Sequence, residues 1–229
     1  MDEERATRGE YLLRLNTEDP DRPTQFELLG RTWDLVEGVF SPSYTVSTEL
    51  LTSWIPYPVG GRFLEMGAGT GVTAVVAALS GCAAVTALDI SAAAVENVRR
   101  NAERHGVADI LAVARSDLFA ALAADERFDM VYWNSNYIEM DPDFVNESDV
   151  HHALYDPGFE AHRRFLVEAP DRLLPGGRVL LGFSDLGSWS SLRALCAELG
   201  LGIEVLRSEC RVQNQPVEFQ LLEIVGLGS

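Results

Sequence analysis

From residue 62 onward the chain alternates short apolar runs with longer stretches of helical periodicity. Arg62–Met66, Ala83–Asp89, Ile110–Ala114, Asp129–Asn134 and Arg178–Phe183 have strand length. Thr70–Leu79 is an alanine- and valine-rich helical run. Ala92–His105 places Val95 and Val98 on one face and Glu96, Arg99 and Arg100 on another, with Ser91 as its cap. Ala120–Ala123 reads as a short helix. Asp156-Pro157 reads as cap and first position of a helix to about Leu174. Pro175-Gly176-Gly177 turns into the fifth strand, Ser188–Leu199 is a helix, and Gly200 is its C-cap. Ile203–Cys210 and Val217–Val225 close the chain as two strands around a turn at Asn214–Pro216. Repeated βα units ending in a hairpin predict an α/β fold, a doubly wound sheet.

The first 58 residues follow another pattern and are taken as an N-terminal extension; 59–229 form the main domain. Residues 1–25 are polar and acidic, broken by Asp19-Pro20 and Arg22-Pro23, with a helical turn or two at Tyr11–Leu15. Phe26–Leu35 predicts a hairpin around Gly30-Arg31. Ser47 is expected to cap a helix over Thr48–Trp54. The stretch 135–157 is expected as a long acidic loop.

The candidate chemistry starts at Arg62–Gly71, RFLEMGAGTG, an order of strand, glycine turn and helix. Glycines let the backbone turn sharply and lie against a ligand. The following helix offers free N–H groups. The dinucleotide pattern GxGxxG would need Gly at 72, where Val72 stands, and a P-loop needs a lysine. This chain has none; all 18 of its basic residues are Arg. Glu65 before the glycines would repel a pyrophosphate and pair with an ammonium group. That combination fits S-adenosylmethionine, which carries an ammonium and a sulfonium and no phosphate. Asp89 ends the second strand, 22 positions past Gly67, where an acid can accept the ribose hydroxyls.

Composition narrows the field. Net charge is −17 and pI is near 4.5, which argues against a nucleic-acid partner. Cys82, Cys196 and Cys210 are far apart, so reduced thiols and a cytoplasmic protein are expected, with no metal. The N-terminus MDEERATRGE is charged, so no signal peptide is expected. No apolar run approaches ~20 residues, so no membrane span is expected.

The sequence resembles the class I S-adenosylmethionine-dependent methyltransferases, whose first motif E/D-x-G-x-G-x-G appears as Glu65, Gly67, Gly69 and Gly71, with Ala68 between. Asp117-Leu118-Phe119, Arg127–Asp129, Asn134-Ser135-Asn136-Tyr137-Ile138 and the Pro-Gly-Gly turn are most similar to the HemK/PrmC-like glutamine N5-methyltransferases. The resemblance implies a Rossmann-like, seven-stranded methyltransferase sheet with the last strand antiparallel, covered by the hairpin and helix of the extension. It implies cofactor contacts from Glu65, Gly67, Ala68, Gly69, Gly71 and Asp89, with Ile90 on the adenine face, Asp117 at its amino group and Leu118 at its ring. It implies Asn134 and Tyr137 as catalytic residues. An amide is a poor nucleophile because its lone pair is delocalised; acceptors for its N–H bonds localise that pair toward the methyl.

Two features depart from the family pattern. Ser135 and Asn136 stand where the family's [DN]-P-P-[YF] motif has prolines, and only about 25 residues precede the hairpin, where family members carry a helical domain for gripping a release factor. The expectation is therefore methyl transfer to an amide or amine nitrogen of a small metabolite, in small-molecule biosynthesis. Transfer to oxygen or to a protein glutamine is the enzymatic alternative; a cofactor-binding scaffold without turnover is the other. Tyr44, Asn136, His151 and His152 are candidate substrate contacts, and His151 or His152 a candidate base. Asp149, His151 and His152 are a weaker candidate metal set. Trp33, Tyr44 and Trp133 read as core or rim, and His105 and His162 as surface.

Overall fold

The computed structural model describes residues 3–213 and 215–226. The chain opens with helix α1 (Glu3–Thr17), the hairpin β1 (Gln25–Leu28) and β2 (Arg31–Asp34), and helix α2 (Ser47–Trp54). The α/β part follows: β3 (Arg62–Met66), α3 (Val72–Leu79), β4 (Ala84–Asp89), α4 (Ala92–Arg104), β5 (Leu111–Arg115) and β6 (Phe128–Asn134). After an excursion through β7 (Ile138–Met140), α5 (Asp149–Leu154) and β8 (Tyr155–Pro157) come α6 (Glu160–Glu168), β9 (Leu173–Ser184), α7 (Trp189–Glu198), β10 (Leu201–Gln213) and β11 (Gln215–Gly226).

Seven strands form the central sheet in the order β10-β11-β9-β6-β3-β4-β5. Pairings from β9 through β5 are parallel, and β11 runs antiparallel to both its neighbours. The expected doubly wound sheet with an antiparallel last strand is observed. Both faces are covered, so β3 and β6 are apolar without strict alternation. Phe63 and Met130 face the layer holding Val75 and Val98; Leu64 and Val131 face the layer holding Phe165 and Leu192. Fully burying each such side chain contributes about 1.5–3 kcal/mol. From β3 the chain winds outward to β4 and β5, then returns to β6 on the other side. Ligands in open α/β sheets bind at that reversal, beyond the carboxyl ends of the strands.

The hairpin is fastened to this sheet by α4. Asn97 and Asn101 are fully buried. Asn97 accepts from the Val36 N–H and donates to the Asp34 carbonyl; Asn101 accepts from the Asp34 N–H and donates to the carbonyls of Asp34 and Thr70. One helix face thus ties the extension to the glycine turn.

Several local expectations change. The hairpin loop is Leu29-Gly30, one residue early, because both adopt positive φ (51° and 69°), the two-residue loop that matches strand twist. Tyr11–Leu15 belongs to a helix of 15 residues, held by Leu12 in a cluster with Ile138, Val150 and Leu154. Ser47 lies inside α2, which begins without a side-chain cap. Residues 120–123 form turns, with the Ser116 hydroxyl accepting the Ala121 N–H. The stretch 135–157 is structured. Asp156 and Pro157 lie in β8, and α6 starts at Glu160, with Asp156 reaching across to accept the N–H groups of Ala161 and His162. Of the final turn, Asn214 lies outside the described residues.

Candidate functional site

The turn after β3 is built from main-chain geometry. Gly67, Gly69 and Gly71 all have positive φ, at 61°, 54° and 79°. A Cβ on Gly71 would lie 3.0 Å from the Val98 Cα, and one on Gly67 would lie 3.1 Å from the Trp133 indole nitrogen. A Cβ on Gly69 would meet nothing within 4 Å, and the residue opens onto a cavity of about 560 Å³ at the carboxyl ends of β3, β4 and β6.

Glu65, Gly67, Ala68, Gly69, Asp89, Ile90, Asp117 and Leu118 line this cavity; Gly71 does not. Glu65 is 3 % exposed and accepts the Ala74 N–H at 2.7 Å in the first turn of α3. Burial pushes its carboxyl up to about 8, against the pull of the Thr73 and Ala74 hydrogen bonds. Asp89 accepts the N–H of Gly69 at 2.8 Å and of Ser91 at 2.9 Å, so it braces the glycine turn and the start of α4 together. Burial raises its carboxyl too, and these two bonds oppose the rise. Asp117 is engaged elsewhere: both oxygens pair with the Arg164 guanidinium, at 3.1 and 3.0 Å, on an exposed rim. The cavity wall carries Glu65, Asp89, Asp117, Asp149, Asp156 and Glu160 against Arg164 and His152. That donor set suits a cationic ligand, and the gap at Gly69 leaves room for one beside the main chain.

Asn134, Asn136 and Tyr137 line the other half of the cavity. Asn134 sits at the tip of β6, half-buried, with no hydrogen bond from its side chain among the described residues. The turn after it is held by hydrogen bonds. Ser135 donates both its N–H (3.3 Å) and its hydroxyl (3.0 Å) to the Gly182 carbonyl on β9. Asn136 donates to the carbonyls of His152 (3.2 Å) and Tyr155 (2.8 Å), while its own oxygen is buried without a partner. The Tyr137 ring packs edge-on against Phe183 at 5.9 Å, and its hydroxyl, raised by burial, bonds Ser184.

The other candidates separate. His152 lines the cavity, with its Nδ1 3.2 Å from the Asn146 amide. His151 is turned away, accepting the Glu147 N–H. Tyr44 is outside the cavity: its hydroxyl donates to Asp19, and burial together with that carboxylate pushes it to about 12. Asp149, His151 and His152 are not drawn into a common ligand set; no group of three or more His, Cys, Asp or Glu is so arranged among the described residues. His162 is not on the surface. It is fully buried, 2.6 Å from Asp156, and stacked on Phe159 at 4.0 Å. Ser91, Trp133 and Asp149 also line the cavity; the sequence marked Ser91 only as a helix cap and Asp149 only as a candidate metal ligand.

A family model described as the methyltransferase small domain matches residues 33–186. Release factor glutamine methyltransferase of Bordetella pertussis is 35% identical over 189 residues, covering 76% of this chain and 67% of that protein. The protein of the same name in Neisseria gonorrhoeae is 34% identical, covering 79% and 68%. Ribosomal protein uL3 glutamine methyltransferase of Bradyrhizobium diazoefficiens is 32% identical over 126 residues, covering 52% of this chain and only 39% of that protein. Among solved structures, the Thermus thermophilus 16S rRNA N2 G1207 methyltransferase with AdoMet and guanosine aligns at TM-score 0.62 and 23% identity, over 91% of this chain and 53% of that one. A SAM-dependent methyltransferase from Thiobacillus denitrificans with S-adenosyl-L-homocysteine aligns at 0.56 and 15% identity, over 93% and 98%. At these identities the structures show the shared fold alone.

The relatives overturn one expectation. The expected small-molecule acceptor with no nucleic-acid partner conflicts with relatives named for glutamines of a release factor and a ribosomal protein. Small-molecule biosynthesis falls with it. That expectation rested on whole-chain charge, on the short stretch before the hairpin and on the missing prolines at Ser135 and Asn136, where hydrogen bonds to Gly182, His152 and Tyr155 hold the turn in their stead. Among the described residues no helix is long and apolar enough to cross a membrane.

Proposed function

The chain belongs to the methyltransferase small domain family, and from that premise we propose that it transfers the methyl group of S-adenosylmethionine to the side-chain amide nitrogen of a glutamine in a protein partner. The observation that carries this reading is the uncommitted Asn134 amide at the tip of β6, in one cavity with Glu65 and Asp89. When bound there, S-adenosylmethionine supplies an electrophilic methyl group. Glu65 orients the methionine ammonium. Asp89, already braced by Gly69 and Ser91, has lone pairs left for the ribose hydroxyls. Ile90 and Leu118 flank the adenine. Asn134 accepts an N–H of the acceptor amide, which localises the nitrogen lone pair toward the methyl. Tyr137 walls the acceptor side, and Leu12 of α1 and the segment 38–48 flank it. The similarity to relatives named for glutamine methylation supports this acceptor over a metabolite.

The test is incubation with S-adenosylmethionine and a bacterial release factor or ribosomal protein uL3, followed by peptide mass spectrometry. A gain of one methyl on a glutamine, absent with Asn134→Ala, supports the reading. Methyl transfer to any other residue type, or none to either protein, overturns it.

A further inference from the structure

We propose that α5 is a strap joining the two halves of the cavity, with Asp149 and Asn136 as the positioning residues at its ends. The inference rests on the methyl-transfer reading above and extends it to how the acceptor turn is aligned.

At one end, the Ser91 hydroxyl donates to Asp149 at 2.6 Å. The same hydroxyl accepts the Ala94 N–H as the cap of α4, and the Ser91 N–H bonds Asp89. Asp149 is therefore linked through a single residue to the carboxylate that braces the glycine turn. At the other end, Asn136 donates to the carbonyls of His152 and Tyr155. The last carbonyls of a helix have no partner within it, so an amide there fastens the helix end. Between these ends Val150 and Leu154 are buried against Leu12 and Ile138, while Asp149, His152 and Leu154 face the cavity.

The arrangement explains how an acceptor turn without prolines keeps a defined shape. A proline ring would fix φ without any partner. Ser135 and Asn136 leave φ free and transfer the constraint to Gly182 and to α5. A constraint of that kind depends on α5 staying in place, and α5 is fastened to the cofactor side. Order imposed on Asp89 and Ser91 by a bound nucleoside thus reaches Asn134 and Tyr137 through the strap. The buried, unpartnered Asn136 oxygen fits a residue placed for its donor, because leaving a buried acceptor unsatisfied is costly.

The experiment is amide hydrogen exchange of the full chain with and without S-adenosylhomocysteine, joined to kinetics. In the wild type the product should slow exchange at residues 149–155 and also at 135–138, with no acceptor present. Asn136→Ala should keep the protection at 149–155 and lose it at 135–138. Its kcat should fall roughly tenfold or more with KM for S-adenosylmethionine little changed, as for loss of a hydrogen bond that only orients. Asp149→Ala should lose both regions of protection. Asp149→Asn, which still offers an oxygen to the Ser91 hydroxyl, should restore them. The two alanine variants together should lose less activity than the product of their separate losses, because cutting either end disables one strap. Protection at 135–138 that survives both variants, or losses that multiply, overturns the proposal. Should Asn136→Ala fail to fold, the Asp149 pair reads the same coupling. Failure of S-adenosylhomocysteine to bind the wild type overturns the functional reading beneath; binding without coupled protection overturns the strap alone.

Discussion

The two halves of the cavity are held by different kinds of bond. On the cofactor side the shape comes from backbone conformation: three left-handed glycines, a helix start, and an acid accepting the main-chain N–H groups of Gly69 and Ser91. On the acceptor side it comes from side chains reaching across the fold, Ser135 to Gly182 on β9 and Asn136 to Tyr155. A backbone-built site tolerates few substitutions and is set by a short stretch. A site built from long-range side-chain bonds can be retuned one residue at a time, which suits the half that must match a variable acceptor.

That contrast can be broken at several points. The largest effect is expected at Asn134→Ala, which should lower kcat on the order of 10²–10³-fold while leaving the affinity for S-adenosylhomocysteine within twofold; single-turnover kinetics and calorimetry check the pair. An equal loss of product affinity would mean that the halves are not separable. Asp89→Ala should do the reverse first, weakening product binding about tenfold or more through loss of charge-assisted hydrogen bonds. Gly71→Ala forces a positive φ of 79° on a residue with a Cβ and presses it on Val98, so thermal unfolding should show a loss of about 1–3 kcal/mol.

Glu65 sharpens the comparison through pH. Its carboxyl stands at about 8 in the folded chain against 4.5 ordinarily. Between those values the native state holds a proton that the unfolded state releases, so this group's contribution to stability declines as pH rises through the window. A bound ammonium favours the ionised form and expels that proton. Product affinity should therefore rise with pH up to about 8 and then level off, with a flat profile in Glu65→Gln. Calorimetry in buffers of different ionisation enthalpy measures the released proton. A rise that persists in the variant would move the titration to another group. The smallest effect is expected at Tyr44→Phe: it removes one hydrogen bond to Asp19, outside the cavity, costs about 1 kcal/mol or less, and leaves kcat unchanged.

Legibility in the sequence followed the same division. The strand–glycine–helix order at Arg62–Leu79, Asp89 at a strand end and Ser91 as a cap were readable because each is a local pattern, and each lies at or beside the cavity. Asn134 and Tyr137 were readable from the spacing of their motif. The excursion at 135–157 was not. Its helix has only 6 residues and its two strands 3 each, too short for periodicity to register, and they are stabilised by contacts with α1 and with one another. His162 looked like a surface residue because its helix carries two arginines beside it; its burial follows from Asp156 and Phe159, which come from the preceding strand and turn. Tyr44 failed as a substrate contact because Asp19, distant in sequence, already occupies its hydroxyl.

By itself the sequence determined the alternation of strands and helices, the glycine turn and the acids beside it. These depend on periodicity and on backbone conformations that few residues adopt. Only the tertiary structure decided which side chains meet in and beside the cavity: Ser91 with Asp149, Asn136 with the end of α5, Asp156 with His162. Such pairs are joined by hydrogen bonds whose partners lie 6 to 58 positions apart, and nothing in the residues between them specifies that distance. It is set when the sheet closes and both faces are buried.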